Sequence, residues 1–318
     1  MPILKQYPAK YRCNIARTDD GNPHIFELMK MKLAQRLLIG YYKTKLKTIG
    51  LISPRKAAKV AYQLFCTPLT RKTKRKEPPV FHKAEKVSFD IDGLTIRGFR
   101  WNADHPNGKK ILIVHGFSSY AYKFEKYITL LKKEGFEILA FDAPAHGISD
   151  GKLINAYIYK NALLRIEFLY GPFYGIMGHS LGGLAASLAF EQLTNRDKRK
   201  LVLVAPATET KTAISNFFKL IPANEKIKHA FTRLIGKLTD KPVSYYSVSR
   251  VVKSIKSPVL WVHDKHDAIC TFDDVKPLLT MDLPHVQFLI TEHLGHSKVY
   301  KDNKVCGDIV HFFCSPNS

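Results

Sequence analysis

Long apolar runs are missing from this sequence. None reaches 18 uninterrupted apolar residues, so no helix is expected to cross a bilayer. The start, Met1-Pro2-Ile3-Leu4-Lys5-Gln6-Tyr7-Pro8, lacks the apolar core of a signal peptide. Cysteine is scarce and unpatterned. Cys13, Cys66, Cys270, Cys306 and Cys314 form an odd set without a C-x-x-C pair, which argues against a disulfide framework and a structural zinc site and fits a reducing, cytoplasmic compartment. There are no internal repeats and no low-complexity segments. Acidic residues are few as well, with 27 Asp and Glu against 50 Lys and Arg, a formal charge of +23. Residues 1–86 hold 20 basic and 5 acidic residues, a net of +15, whereas 87–318 hold 30 and 22, a net of +8. Such an excess raises affinity for anionic surfaces, lipid or nucleic acid, and says little about fold.

What is present is ordinary globular material. The chain has 318 residues, 45% of them hydrophobic, enough for a sizeable core. Residues 1–24, with Pro2, Pro8 and Pro23, read as a loosely ordered arm. Over 25–49, Leu28, Met31, Leu38, Tyr42, Leu46 and Ile49 recur at helical spacing among lysines and arginines, which predicts a basic amphipathic helix. Ser53-Pro54 opens a second helix to about Cys66: a hydroxyl cap, then a proline whose missing N–H costs nothing in the first turn. Arg71 to Lys76 and Pro78-Pro79 read as a solvated linker, so 1–86 is taken as a helical extension and 87–318 as the main domain.

From Val87 the period changes. Val87, Phe89 and Ile91 alternate with polar residues, Asp92-Gly93 is a turn dipeptide, and Leu94, Ile96 and Phe99 follow, predicting a hairpin. Ile111–Val114, Ile138–Phe141, Phe173–Met177, Leu201–Val204, Val259–Val262 and Val286–Ile290 are short apolar runs of the kind covered on both faces of a parallel sheet. Helical patterns lie between them, at Tyr122–Lys133, Ala156–Tyr170, Leu181–Leu193, Asp273–Thr280 and Ser297–Phe313. The order predicts a three-layer α/β/α sandwich with a mostly parallel central sheet. About forty residues, 208–249, separate two strands elsewhere joined by one helix. They predict an inserted helical cap, its apolar residues suited either to a lid over an apolar pocket or to packing on the domain.

Gly178-His179-Ser180-Leu181-Gly182 follows an apolar strand and opens a helix rich in small residues. A serine at such a turn takes up a strained backbone, and glycines beside it let neighbouring segments approach. Ser180 is the candidate nucleophile, and the Leu181 N–H, at a helix start, is a candidate oxyanion donor. Serine needs a base, and histidine with a pKa near about 6.5 is the usual one. His296 in Leu294-Gly295-His296 follows the final strand, with His293 the rival. The base needs a carboxylate to fix its tautomer. Asp267 sits past the strand ending near Val262, while Asp264, within the turn, competes. A second donor is expected from Phe117 in Ile113-Val114-His115-Gly116-Phe117, where Gly116 permits a tight turn.

In that order, His115-Gly116-Phe117, Asp142-Ala143-Pro144-Ala145-His146-Gly147-Ile148-Ser149-Asp150-Gly151, Gly178 to Gly182, Asp267 and Gly295-His296 resemble the motifs of α/β-hydrolase fold enzymes. The resemblance covers about residues 87 to 318. It implies Ser180, Asp267 and His296 as a triad and Phe117 and Leu181 as the oxyanion hole, with no metal or organic cofactor. Ala145 stands where glycine is common in that family, and no proline follows Asp267 closely.

The expected activity is hydrolysis of carboxylic esters through an acyl-enzyme, with thioesters, amides and transacylation behind it. A serine rather than aspartate nucleophile argues against dehalogenase and epoxide hydrolase chemistry. A lipid-acting hydrolase or acyltransferase, held at an anionic membrane surface by the basic helix, is the rival within enzymes. Burial of Leu28, Leu38 and Leu46 would count against it. A non-catalytic binding protein of the same fold is the reading from another class. Nucleic acid is a poor partner, since no recognised module is present and Arg71 to Lys76 carries no interleaved aromatics.

Overall fold

The computed structural model describes residues 33–68, 76–104 and 107–316. The expected arm at 1–24, Leu28 and Met31, and most of the basic run at 71–76 lie outside them. Ser53 caps a helix as its sequence predicts: its side chain accepts from the Lys56 N–H, and Pro54 begins α2 (Pro54–Cys66) directly after α1 (Leu33–Ile52). The hairpin follows as β1 (Glu85–Ile91) and β2 (Leu94–Trp101), turning at Asp92-Gly93.

The apolar runs become β3 (Lys110–Val114), β4 (Glu137–Phe141), β5 (Gly175–His179), β6 (Lys200–Val204), β7 (Val259–Asp264) and β8 (Val286–Thr291). All residues of β4, β5, β6 and β7 are buried, as expected of strands covered on both sides. The sheet order is β1-β2-β4-β3-β5-β6-β7-β8. β2 pairs antiparallel with β1 and β4, and the other pairs are parallel. Side chains alternate between two cores. Leu112, Leu139, Leu201 and Trp261 face one, with α4 (Ala156–Tyr170), α5 (Leu181–Phe190) and α8 (Val248–Ser254). Ile113, Ile138, Val202 and Leu260 face the other, with α3 (Glu125–Lys133) and α9 (Asn303–Cys314). The molecule is therefore the three-layer sandwich the strand pattern predicts.

β5 departs from its sequence reading by starting two residues later and running two residues further. The Glu167 carboxylate takes the Phe173 N–H, so that residue precedes the ladder. At the other end Gly178 and His179 stay in register with Leu203 and Val204 of β6. Ser180 thus follows the sheet with no intervening turn residue. β4 and β5 lie on opposite sides of β3, so the chain reverses its direction of travel across the sheet there. In open α/β sheets the crevice at such a switch point, at the carboxyl ends of the strands, is where ligands bind.

The interval 208–249 supplies α6 (Thr210–Leu220) and α7 (Glu225–Thr239), the latter capped by Asn224 accepting from Ile227 N–H. The basic extension does not stand apart from this cap. Leu46, Ala57, Ala58 and Ala61 share a buried cluster with Ile214, Phe218, Ile227 and Phe231. α1 comes so close that a Cβ at Gly50 would sit 2.5 Å from Ile227 Cδ1. Of the stripe expected on α1, Leu46 is buried, Tyr42 and Ile49 are half-buried and Leu38 is 44% exposed, while Leu33, Leu37 and Tyr41, outside that stripe, face solvent. No described helix is long and apolar enough to cross a membrane.

Phe231 is fully buried at the centre of this contact, its ring within 6.2 Å of those of Tyr62, Phe65, Phe217 and Phe218. Phe231→Ala leaves a large void between extension and cap, and urea titration should show a loss of about 3–5 kcal/mol of unfolding free energy. A loss under about 1 kcal/mol would mean that the two segments do not pack in this way.

Candidate active site

Ser180 sits between β5 and α5 with φ 56° and ψ −125°, a conformation that side-chain-bearing residues seldom adopt. Its backbone is locked on both sides. The N–H donates to Val204 O at 3.1 Å, and the carbonyl accepts from Gly183, Leu184 and Ala207 N–H groups. The flanking glycines are steric necessities. A Cβ at Gly182 would lie 2.3 Å from His115 O, and one at Gly178 would lie 2.7 Å from Gly182 O.

The two expected oxyanion donors flank this serine for a reason rooted in the peptide plane. In a trans peptide the carbonyl of one residue and the N–H of the next point in opposite directions. The Ser180 carbonyl is tied down towards Ala207, which turns the Leu181 N–H the other way. His115 does the same on the other side. Its Nε2 accepts from Ala143 N–H at 2.9 Å, so Nδ1 carries the proton and donates to Gly116 O at 2.8 Å. That bond aims the Phe117 N–H away from His115. Gly116 lies against the serine, since a Cβ there would be 2.8 Å from Ser180 Cβ. Among the described residues neither the Phe117 nor the Leu181 N–H has a hydrogen-bond acceptor. The sequence pattern placed His115 in the motif that carries Phe117 but assigned it no role of its own, because its partners are the backbone groups of Gly116 and Ala143.

Asp267 and His296 meet at 2.8 Å, through carboxylate Oδ2 and ring Nδ1. The other carboxylate oxygen accepts the Ile269 and Cys270 N–H groups, each at 2.8 Å. These bonds close the turn that no proline restrains. Burial penalises the Asp267 charge, yet the bonds from His296, Cys270 and Ile269 outweigh it and hold the carboxyl below its ordinary range.

The structure separates the competing residues. Asp264 ends β7 rather than lying in a turn, and its carboxylate accepts from His266 N–H, Thr291 Oγ1 and Leu294 N–H. It ties β7 to the loop that carries His296. His293 is exposed and stacks on His266 with ring centroids 4.4 Å apart, away from Asp267.

Three further residues surround the pair. His179 is buried beside Ser180, its Nε2–H donating to His296 O at 3.2 Å and its ring 4.8 Å from the His296 ring. Burial, then the neighbouring His296, pushes its pKa down to about 3, so it is neutral. His263 donates to Cys270 O at 2.7 Å and fixes the strand-end loop. The Cys270 thiol lies beside Ser180 at the cavity wall, and burial pushes its pKa well above the ordinary thiol value. No hydrogen bond joins Ser180 to His296 in this conformation. Contacts of this kind are often long or misaligned without substrate and tighten when it binds.

Asp142 in the remaining motif accepts from Ala121 and Ile148 N–H groups, and a Cβ at Gly147 would clash with its carboxylate. Ala145, at the position where glycine is common, takes φ 65°. Among the described residues no group of three His, Cys, Asp or Glu is arranged to hold a metal ion.

A cavity of about 910 Å³ opens onto Ser180, Phe117 and Leu181. Its walls come from α1, α2, α6 and the loop after Asp267, and they contain no Asp or Glu among the described residues. Lys219 supplies their only formal charge among those residues, and it is exposed.

Comparison with known proteins agrees with this architecture. The family model described as serine aminopeptidase, S33 matches residues 105–264. The chain is 30% identical over 115 residues to an uncharacterized hydrolase, YugF, of Bacillus subtilis, a match spanning 34% of this chain and 41% of that protein. It is 28% identical over 211 residues to a putative esterase/lipase of Mycoplasma pneumoniae, covering 61% of this chain and 70% of the relative. Among solved structures, an esterase of Pyrococcus furiosus superposes with TM-score 0.58 at 18% identity, over 78% of this chain and 97% of that one. These neighbours share the α/β-hydrolase fold.

Proposed function

We propose that this chain, which belongs to the serine aminopeptidase S33 family of α/β hydrolases, is a serine hydrolase that cleaves carboxylic esters through an acyl-enzyme on Ser180. One observation carries the reading: a strained serine with two acceptor-free N–H groups beside it faces an apolar cavity, with a hydrogen-bonded Asp267–His296 pair nearby.

In the proposed reaction the Ser180 hydroxyl passes its proton to His296 Nε2 as Oγ attacks the acyl carbon. The carbonyl π electrons move to oxygen, and that oxyanion accepts from the Phe117 and Leu181 N–H groups, each worth about 2.7–4 kcal/mol in such sites. His296 then protonates the leaving alkoxide, and the C–O bond breaks to give an acyl-enzyme. Water, deprotonated by His296, attacks the acyl carbon in turn. Collapse of the second oxyanion returns the proton to Ser180 and frees the carboxylic acid. Asp267 holds the His296 Nδ1–H throughout and stabilises the imidazolium.

An ester is favoured over a peptide amino terminus by the walls. An α-ammonium group taken into an apolar cavity needs a carboxylate partner to offset lost hydration, and the described lining offers none. A fluorophosphonate probe tests the reading. It should label the folded protein at a single residue, with the adduct on the peptide containing Ser180. Absence of labelling, or an adduct that maps elsewhere, would refute it.

A further inference from the structure

We propose that the basic N-terminal helices form the far wall of an acyl-chain site, so that preferred substrates are esters of long, unbranched, uncharged acyl groups. This rests on the ester-hydrolase reading of Ser180 and specifies its substrate class. Ile39 and Tyr42 of α1, Tyr62 and Phe65 of α2, and Phe217 and Ile221 of the cap enclose the cavity that ends at Ser180. At about 910 Å³ it lies near the top of the roughly 300–1,000 Å³ range of small-molecule sites. A short acyl group such as acetyl would leave most of this wall unused.

The polar side chains along the walls are largely spoken for. Asn155 donates to the Tyr62 hydroxyl at 2.7 Å and accepts from Ile158 N–H. The Thr67 and Thr239 hydroxyls donate to the backbone carbonyls of Gln63 and Ile235. Thr210 Oγ1 is buried without a partner and is one point where a single polar atom of a ligand could bond. A hydrocarbon chain matches such a lining, because it forfeits no hydrogen bonds on entry, whereas a charged or sugar-like group forfeits many. Leu38, half exposed and lining the cavity, stands where the site meets solvent.

Helices α1 and α2 precede the matched family segment, 105–264, so this wall is an addition of this chain to that segment. It also accounts for the burial of Leu46 and Gly50: both anchor α1 on the cap and hold Ile39 and Tyr42 over the cavity.

The test pairs turnover with binding. On p-nitrophenyl esters from acetate to palmitate, kcat/KM should climb with chain length by up to about fourfold per methylene until the cavity is filled. Leu38→Trp, which places an indole at the entrance without touching the core, should lower the laurate-to-acetate ratio of kcat/KM at least tenfold. In a Ser180→Ala background, the fluorescent fatty acid cis-parinaric acid should bind, and adding Leu38→Trp should raise its Kd about tenfold. Circular dichroism establishes that each variant is folded. Esters cleaved with no gain along the series, together with no cis-parinaric acid binding, would overturn the acyl site while leaving the hydrolase reading intact. No ester cleaved at any length, with the fatty acid still bound and displaced by Leu38→Trp, would support the site and sink the hydrolase reading.

Discussion

Ser180→Ala is expected to lower kcat for p-nitrophenyl esters by about 10⁴- to 10⁶-fold, the loss seen when a serine nucleophile is removed from a working triad. The fold should survive. The Ser180 backbone bonds to Val204, Ala207 and the first turn of α5 involve only main-chain atoms, which alanine keeps. Alanine carries the same burden at φ 56° as serine, so the substitution neither relieves nor adds strain. A residual rate above that of water should remain, supplied by the Phe117 and Leu181 amides and by binding in the cavity. Circular dichroism and a thermal melt close to wild type, with turnover lost, is the expected pair of results. Turnover within tenfold of wild type would place the nucleophile elsewhere.

Asp267→Asn carries the second largest effect, about 10⁴-fold in kcat. The carboxylate accepts from His296 Nδ1 and from two backbone amides. Asparagine can keep the backbone bonds through its carbonyl oxygen, which leaves its NH₂ facing His296. The imidazole must then turn an unprotonated Nδ1 towards that donor, and the proton moves to Nε2, where a base for Ser180 is required. Geometry survives while the tautomer is wrong. Asp264→Asn tests the alternative acid. Its carboxylate braces Thr291 and Leu294, so the loss should fall mainly on stability, about 1–3 kcal/mol. The measurement is kcat of both variants alongside their urea midpoints, and a larger kcat loss in Asp264→Asn would reverse the assignment. pH supplies a further check. Because the folded Asp267 carboxyl is held below its unfolded value of about 3.9, its contribution to stability is present above that value and fades as pH falls through the folded one. Wild type and Asp267→Asn should therefore differ in stability at neutral pH and converge in acid.

Much of the fold was legible because parallel strands covered on both faces must be apolar throughout, and Leu201–Val204 or Ile138–Phe141 can hardly be anything else. The strained turn at Ser180 was legible from glycines at 178 and 182 set between an apolar strand and a helix rich in small residues. What the one-dimensional pattern could not carry was direction. Asp264 and Asp267 are three residues apart, and whether either reaches His296 depends on how a loop closes over backbone amides. His115 and His179 act on peptide groups brought in from 28 and 117 residues away, Ala143 and His296, and no local pattern records such partners. The stripe on α1 announced that one face would be covered, not that α2, itself seated on α7, would lie against it.

The packing of α1 and α2 on the cap also sets an order of events during synthesis. Both helices leave the ribosome long before residues 210–239, their partners, exist. At typical elongation rates the delay is on the order of 10–30 s. Through that interval the side of the helix pair that Ile227 and Phe231 later meet has no partner, with Lys43, Lys45 and Lys47 on the same helix. Helices made early are therefore among the last to be secured.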